Sequence, residues 1–178
     1  KHGYMGSMDT YYTTDENVNS ASAALYLSVR SNYFTWYFLK NLLSDDVWCG
    51  GGQRGDNGEM EKLNEYTYDS NHGSIEGVYS GLYSVIYNAN LIIGMTQGDT
   101  PVMKHAINEA KVFRAWAHFE LVSLWGTAPI VDHLLTPDEY RQGNSDPAAT
   151  WAFVEKDLTE AINSGTLPSK SSVNDAET

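Results

Sequence analysis

A single cysteine, Cys49, stands among 178 residues, so no intramolecular disulfide can staple this fold. Positive charge is scarce. Lys and Arg number 11 against 23 Asp and Glu, a net charge of -12. The imbalance is spread along the chain: residues 1–70 hold 5 basic and 10 acidic side chains, residues 71–178 hold 6 and 13. Such a surface repels nucleic acid and anionic lipid, which sets nucleic-acid binding aside. Long apolar runs are missing as well. "LIIGM" falls far short of the ~20 residues a bilayer-spanning helix needs. No charged and then apolar leader opens the chain. "KHGYMGSMDT" reads as the start of a processed or trimmed protein, and "SSVNDAET" ends polar, with no closing element. The sequence also lacks G-x-S-x-G, H-E-x-x-H, a P-loop and C-x-x-C. The five His are scattered, and His105 and His118 are too far apart on one helix to share a metal. Asp45-Asp46 and Asp56-Asn57-Gly58-Glu59 offer oxygen ligands, but not at EF-hand spacing. No cofactor or metal is implied, and a catalytic role has no motif behind it.

What the chain has is aromatic side chains, 12% of the total, with 12 Tyr and 5 Trp, and helical periodicity. Thr13 followed by Glu16 fits a capping box and predicts a first helix over 16–43. Its expected buried face carries Ala23, Leu27, Phe34, Phe38 and Leu42, widened by Tyr26, Tyr33 and Tyr37. Residues 44–73 form a long glycine-rich connection, of the length that is usually functional or disordered. A second helix, 74–97, carries the stripe Ile75, Tyr79, Leu82, Ile86, Ala89 and Ile93. Gly77 and Gly81 on another side predict close approach to a neighbouring helix. Thr100-Pro101 opens a third helix, 101–125, closed by Gly126 and Pro129. It has two apolar rows and a narrow polar strip of Lys104, Asn108, Lys111 and His118, so it must pack on more than one neighbour. Asp146-Pro147 starts a fourth helix, 147–164. Without any 34-residue self-similarity, the pattern supports an all-α, helical-repeat-like fold with long irregular loops.

The third helix carries more than periodicity. "EAKVFRAWAHFELVSLWGTAPIV" resembles the signature helix of the SusD/RagB family, on Glu109, Ala110, Arg114, Ala115, Phe119, Leu121, Val122, Gly126 and Pro129. "YSVIYNANLII" is similar to a second family segment through Tyr83, Ile86, Ala89, Asn90 and Ile93. "FVEKDLTEAINSGTLP" is similar to a third through Val154, Asp157, Leu158, Ala161, Leu167 and Pro168. "LLSDDVW" also fits. The resemblance covers most of residues 11–170, with its motifs in order. It implies a tetratricopeptide-like helical scaffold and a surface-exposed, lipid-anchored outer-membrane protein of Bacteroidetes. It further implies that oligo- or polysaccharide is bound and handed, without catalysis, to a SusC-like TonB-dependent transporter. Family members are much longer. The chain is therefore expected to be the N-terminal part of such a domain, with the C-terminal remainder of the same protein as a partner and the lipid-bearing Cys of the precursor absent.

Within the signature, Asn90, Glu109, Arg114, Gly126 and Pro129 are structural. A buried Arg or Glu without a partner is costly, so each must find one on a neighbouring element. Ligand binding falls instead to the 44–73 connection. Sugars offer C–H faces to flat rings and hydroxyls to amides, carboxylates and guanidinium groups. Trp48, Arg54, Asp56, Asn57 and Tyr66 supply those types. The family motifs do not include the ligand residues, so this choice rests on side-chain chemistry. A solvated loop with Trp48 tucked beneath it is the competing reading. Two other functions stay open: a helical-repeat scaffold that binds only protein, and an α/α-barrel glycoside hydrolase, which needs two carboxylates across a cleft.

Overall fold

The computed structural model describes residues 8–44 and 46–168, with backbone alone for Met8 and Asp9. Residues 1–7, Asp45 and residues 169–178 lie outside the described residues. Among the described residues six α-helices follow in order: α1 Met8–Tyr11, α2 Asp15–Leu42, α3 Gly58–Asn64, α4 Gly73–Met95, α5 Pro101–Trp125 and α6 Pro147–Asn163, with a 3-10 turn at Pro137–Glu139 before α6. Among the described residues there is no strand, and the fold is all-α.

Helix ends follow local chemistry. Thr100 Oγ1 accepts from the Met103 N–H and Pro101 sits at the first position of α5. Gly126, at φ 73, ends α5 in a left-handed conformation that costs glycine nothing. Asp146 caps α6 by accepting from the Ala148 N–H at 2.7 Å. The cap of α2 is one residue later than expected. Thr14 accepts from the Asn17 N–H, while the Thr13 hydroxyl bonds the Thr10 carbonyl.

α5 lies at the centre, packed on α4, α6 and α2, while α2 also packs on α4. Its small residues Ala106, Ala110 and Ala117 are fully or almost fully buried and let α4 approach with Leu82, Val85, Ile86 and Ala89. Asn108 and His118, expected on its polar strip, are buried instead, 8% and 1% exposed. The stripe of α4 is broader than expected, because Val78, Val85 and Ile92 join Leu82, Ile86 and Ala89 in the core. Close helix approach occurs at Gly81, where a Cβ would stand 1.7 Å from Asn32 Oδ1. Gly77 faces open space and plays no such part.

The buried face of α2 is only partly the expected one: Leu42 is buried and Phe38 packs half-buried against the core, as expected. Val18, Leu25, Leu39 and Leu42 point inward, whereas Leu27 and Phe34 are 60% and 67% exposed. The 44–73 connection is not wholly irregular either, since α3 occupies its middle.

Candidate functional site

The signature residues converge on one buried node. Arg114 donates through Nε and Nη2 to the two oxygens of Asp157 on α6, at 2.7 and 2.8 Å. Its Nη1 reaches Asn90 Oδ1 at 2.7 Å and the Asp132 carbonyl at 2.6 Å. The Asn90 amide then donates to the Val131 and His133 carbonyls. Both charges are buried and mutually satisfied, and the guanidinium lies over the Phe153 ring. His118 completes the node. Its Nε2 accepts from the Val131 N–H, which leaves Nδ1 to donate to the Arg114 carbonyl. Burial holds its pKa down, from 6.5 to about 4. Glu109 accepts from the Tyr26 hydroxyl on α2, and Pro129 accepts from the Tyr83 hydroxyl on α4. These contacts clamp α4, α5, α6 and the segment after α5 together. Asn90 and Tyr83 also border a cavity between α4 and residues 131–140.

The connection between α2 and α4 is built differently. Asn64, at the end of α3, straps down residues 47–49. Its Oδ1 accepts from the Cys49 N–H at 3.0 Å, while its Nδ2 donates to the carbonyls of Val47 and Leu42 at 2.8 and 3.2 Å. The strap holds Trp48 outward, 60% exposed. Behind it opens a groove of about 270 Å³, walled by Phe34, Phe38, Trp48 and Met60, with Gly50 and Asn57 at its edge. Phe34 and Phe38 pack against each other with their rings tilted by 53° and 4.6 Å between centroids. Asn57 precedes α3 but makes no side-chain cap hydrogen bond to it.

Of the five residues assigned to a ligand from the sequence, the structure brings Trp48 and Asn57 to this groove. The other three do not line it. Arg54 is paired with Glu65. The Asp56 carboxylate turns into its own loop and accepts from the Gln53 N–H at 3.0 Å. Tyr66 closes α3 in the left-handed conformation, φ 56, where glycine is usual. Its hydroxyl donates to the Leu43 carbonyl at 2.6 Å, which ties α3 to the end of α2. Cys49 borders the groove as a free thiol, its pKa raised by burial and then by the Glu61 carboxylate.

Sequence reasoning missed the walls of the groove: Phe34 was assigned to the core but is exposed, and Phe38, which does pack against the core, also lines the groove. It also missed a second cavity, of about 390 Å³, between α4 and residues 131–140, lined by Tyr83, Tyr87, Tyr140 and His133. Tyr79, Tyr83 and Tyr87 are spaced four apart and form one row on α4, a spacing that could have announced this surface. At its mouth, Asp132 and then Glu139 accept hydrogen bonds from His133 and raise its pKa.

Residues 10–174 match the family model for SusD-like proteins, described as starch-binding and associating with the outer membrane. The chain belongs to the SusD-like family. A SusD-like protein P25 of Formosa agariphila is 26% identical over 165 residues, covering 86% of this chain and 31% of its own length. A SusD-like protein of Bacteroides ovatus is 27% identical over 165 residues, covering 86% of this chain and 29% of its own. A laminarin-binding SusD-like protein of known structure superposes with a TM-score of 0.76 at 28% identity, covering 88% of this chain and 35% of that one. A SusD homologue of Bacteroides thetaiotaomicron, at 20% identity and a TM-score of 0.72, shares the fold. The SusD-like chain thus spans about a third of the length of the relatives it matches. Among the described residues no helix is long and apolar enough to cross a membrane.

Proposed function

We propose that this SusD-like chain takes part in binding glycans at the cell surface, with the Trp48 groove as a point of contact. The bound sugar is passed, unhydrolysed, to a SusC-like TonB-dependent transporter in the outer membrane. One observation carries the reading: a tryptophan held out of the surface by three side-chain hydrogen bonds from Asn64, beside a groove of further rings. An exposed Trp on a slack loop would gain little, because binding would have to order it. A preset ring avoids that cost. Membership of a family described as starch-binding, and the glycan ligand in the name of one structural relative, support the same direction. Of the five side chains that offer sugar-binding chemistry, Trp48 and Asn57 line the groove, while Arg54, Asp56 and Tyr66 bond within the loop that carries them.

The test is calorimetry or affinity electrophoresis with a panel of oligosaccharides. Trp48→Ala weakens the cognate glycan about ten-fold, or 1–2 kcal/mol, at unchanged melting temperature. Trp48→Phe retains part of the affinity, and the sugar is recovered intact by chromatography. Wild-type affinity in Trp48→Ala places the contact elsewhere, and released shorter sugars would argue for a hydrolase. A second reading, a scaffold that binds only protein, is favoured by the tyrosine row and cavity on α4. It requires that no glycan of the panel bind at all.

A further inference from the structure

The groove has a charge character as well as a shape. Among the described residues no charged side chain lines it, and Asn57 is the polar side chain at its edge beside a rim of rings and aliphatic groups. The connection that builds it, residues 44–73, carries seven acidic side chains and two basic ones, Arg54 and Lys62. Both cations already have carboxylate partners, Glu65 and Glu59. The Glu61 carboxylate lies close enough to the groove to raise the pKa of its Cys49 thiol. An anion entering here meets no free guanidinium or ammonium group of this connection. It would lose water against apolar rings beside a connection whose net charge is of its own sign.

Taking the Trp48 groove as the glycan contact, we infer that it selects neutral hexopyranose chains and rejects uronate-containing and sulfated glycans. A neutral sugar satisfies every wall. Its C–H face lies on the rings of Trp48, Phe34 and Phe38. One hydroxyl can meet the Asn57 amide, which is not spent on capping α3. The backbone at Gly50, with open space where a Cβ would be, gives a second hydroxyl close access to main-chain groups. At about 270 Å³ the groove takes a short stretch of chain and leaves the rest to run past it. Such a ligand is insensitive to ionic strength, whereas an anionic one is excluded most strongly when screening is weakest.

The experiment uses the full-length protein and matched polymer pairs: a neutral glucan, its 6-carboxylated derivative and its sulfated derivative. Binding is measured at roughly 0.01 M and roughly 1 M salt. The expected result is a neutral-glucan affinity that varies little with salt. The two anionic derivatives should bind about ten-fold or more weakly at low salt, with the gap narrowing at high salt. Asp46→Lys, one residue before the groove-lining Val47, should narrow the gap at low salt and leave the neutral affinity unchanged. Anionic derivatives that bind as well as the neutral polymer, with that binding lost in Trp48→Ala, would overturn the neutral selection while keeping the groove as the site. Neutral binding untouched by Trp48→Ala would instead overturn the groove itself, and the inference with it.

Discussion

Arg114 concentrates the physics of this fold in one side chain. Its charge is removed from water and repaid by Asp157, Asn90 and a carbonyl, all within 2.6 to 2.8 Å. Breaking such a pair on one side leaves an uncompensated buried charge, worth about 3–5 kcal/mol. Arg114→Met therefore lowers stability by that amount and leaves glycan affinity per folded molecule unchanged. Adding Asp157→Leu recovers much of the loss, which chemical denaturation of the three proteins measures. Loss of binding at an unchanged melting temperature would make Arg114 a ligand contact instead. His118, one turn along, gives the node a pH dependence. Its pKa is about 4 in the fold against 6.5 for a free imidazole. A depressed value means that the unfolded chain takes up the proton first. The contribution of His118 is therefore intact above pH 6.5 and drains away as pH falls toward 4, by about 3 kcal/mol in all. The proton would go to Nε2, which now accepts from the Val131 N–H. His118→Leu starts less stable at neutral pH but shows a flatter acid limb in melts taken between those two values. An unchanged acid limb would assign the acid sensitivity to other groups.

At the scale of elements, α3 and the strap it carries decide whether Trp48 is a platform. Asn64→Ala removes one acceptor and two donors from a partly buried site. The cost in stability is about 1 kcal/mol or a little more. The larger effect is on function: glycan affinity falls with Trp48 still present, and amide exchange at Cys49 quickens. Slow exchange at Cys49 in Asn64→Ala would show that the loop holds itself without the strap. How much of this was legible in the sequence varies with the punctuation. α5 could be read at both ends, because Thr100-Pro101 and Gly126 mark its start and stop chemically. α3 could not, because a seven-residue helix between Gly58 and Tyr66 has neither periodic length nor a usual stop signal. Its left-handed terminator is a tyrosine. The inward face of α2 was unreadable for another reason. "YFTWYF", residues 33–38, puts five aromatics into six positions and so covers every side of a helix. Periodicity then cannot say which side is buried. Trp36 turned inward to Glu120, while Phe34 was left to form the groove. The family motifs were legible because they encode the node, whose partners lie 18 to 43 residues apart. The proposed glycan contact has no such motif.

At the scale of the molecule, apolar surface remains uncovered. Tyr33, Trp36, Phe113 and Trp116 frame a cleft of about 360 Å³ between α2 and α5, with little polar character. On α6, Trp151, Leu158 and Ile162 face outward, Ile162 at 74% exposure, and Phe119 of α5 meets Trp151 edge to ring. Leu27 and Phe34 extend the exposure along α2. Monomeric proteins seldom show contiguous apolar patches beyond a few hundred Å² unless something binds there. This chain also spans about a third of the length of its SusD-like relatives. We therefore expect residues 1–178, expressed alone, to self-associate or to bind a hydrophobic dye. The net charge of -12 opposes association most at low salt, so salt should promote it. Light scattering across a salt series, with dye fluorescence alongside, is the measurement. Association that rises with ionic strength is apolar contact held back by charge repulsion. Replacing Trp151 and Ile162 with Gln removes two of the exposed groups on α6 without touching the Arg114 node, and should reduce both signals together. A monomer at every salt concentration, with a cooperative melt and no dye binding, would mean that the exposed rings are separated enough for water to tolerate them.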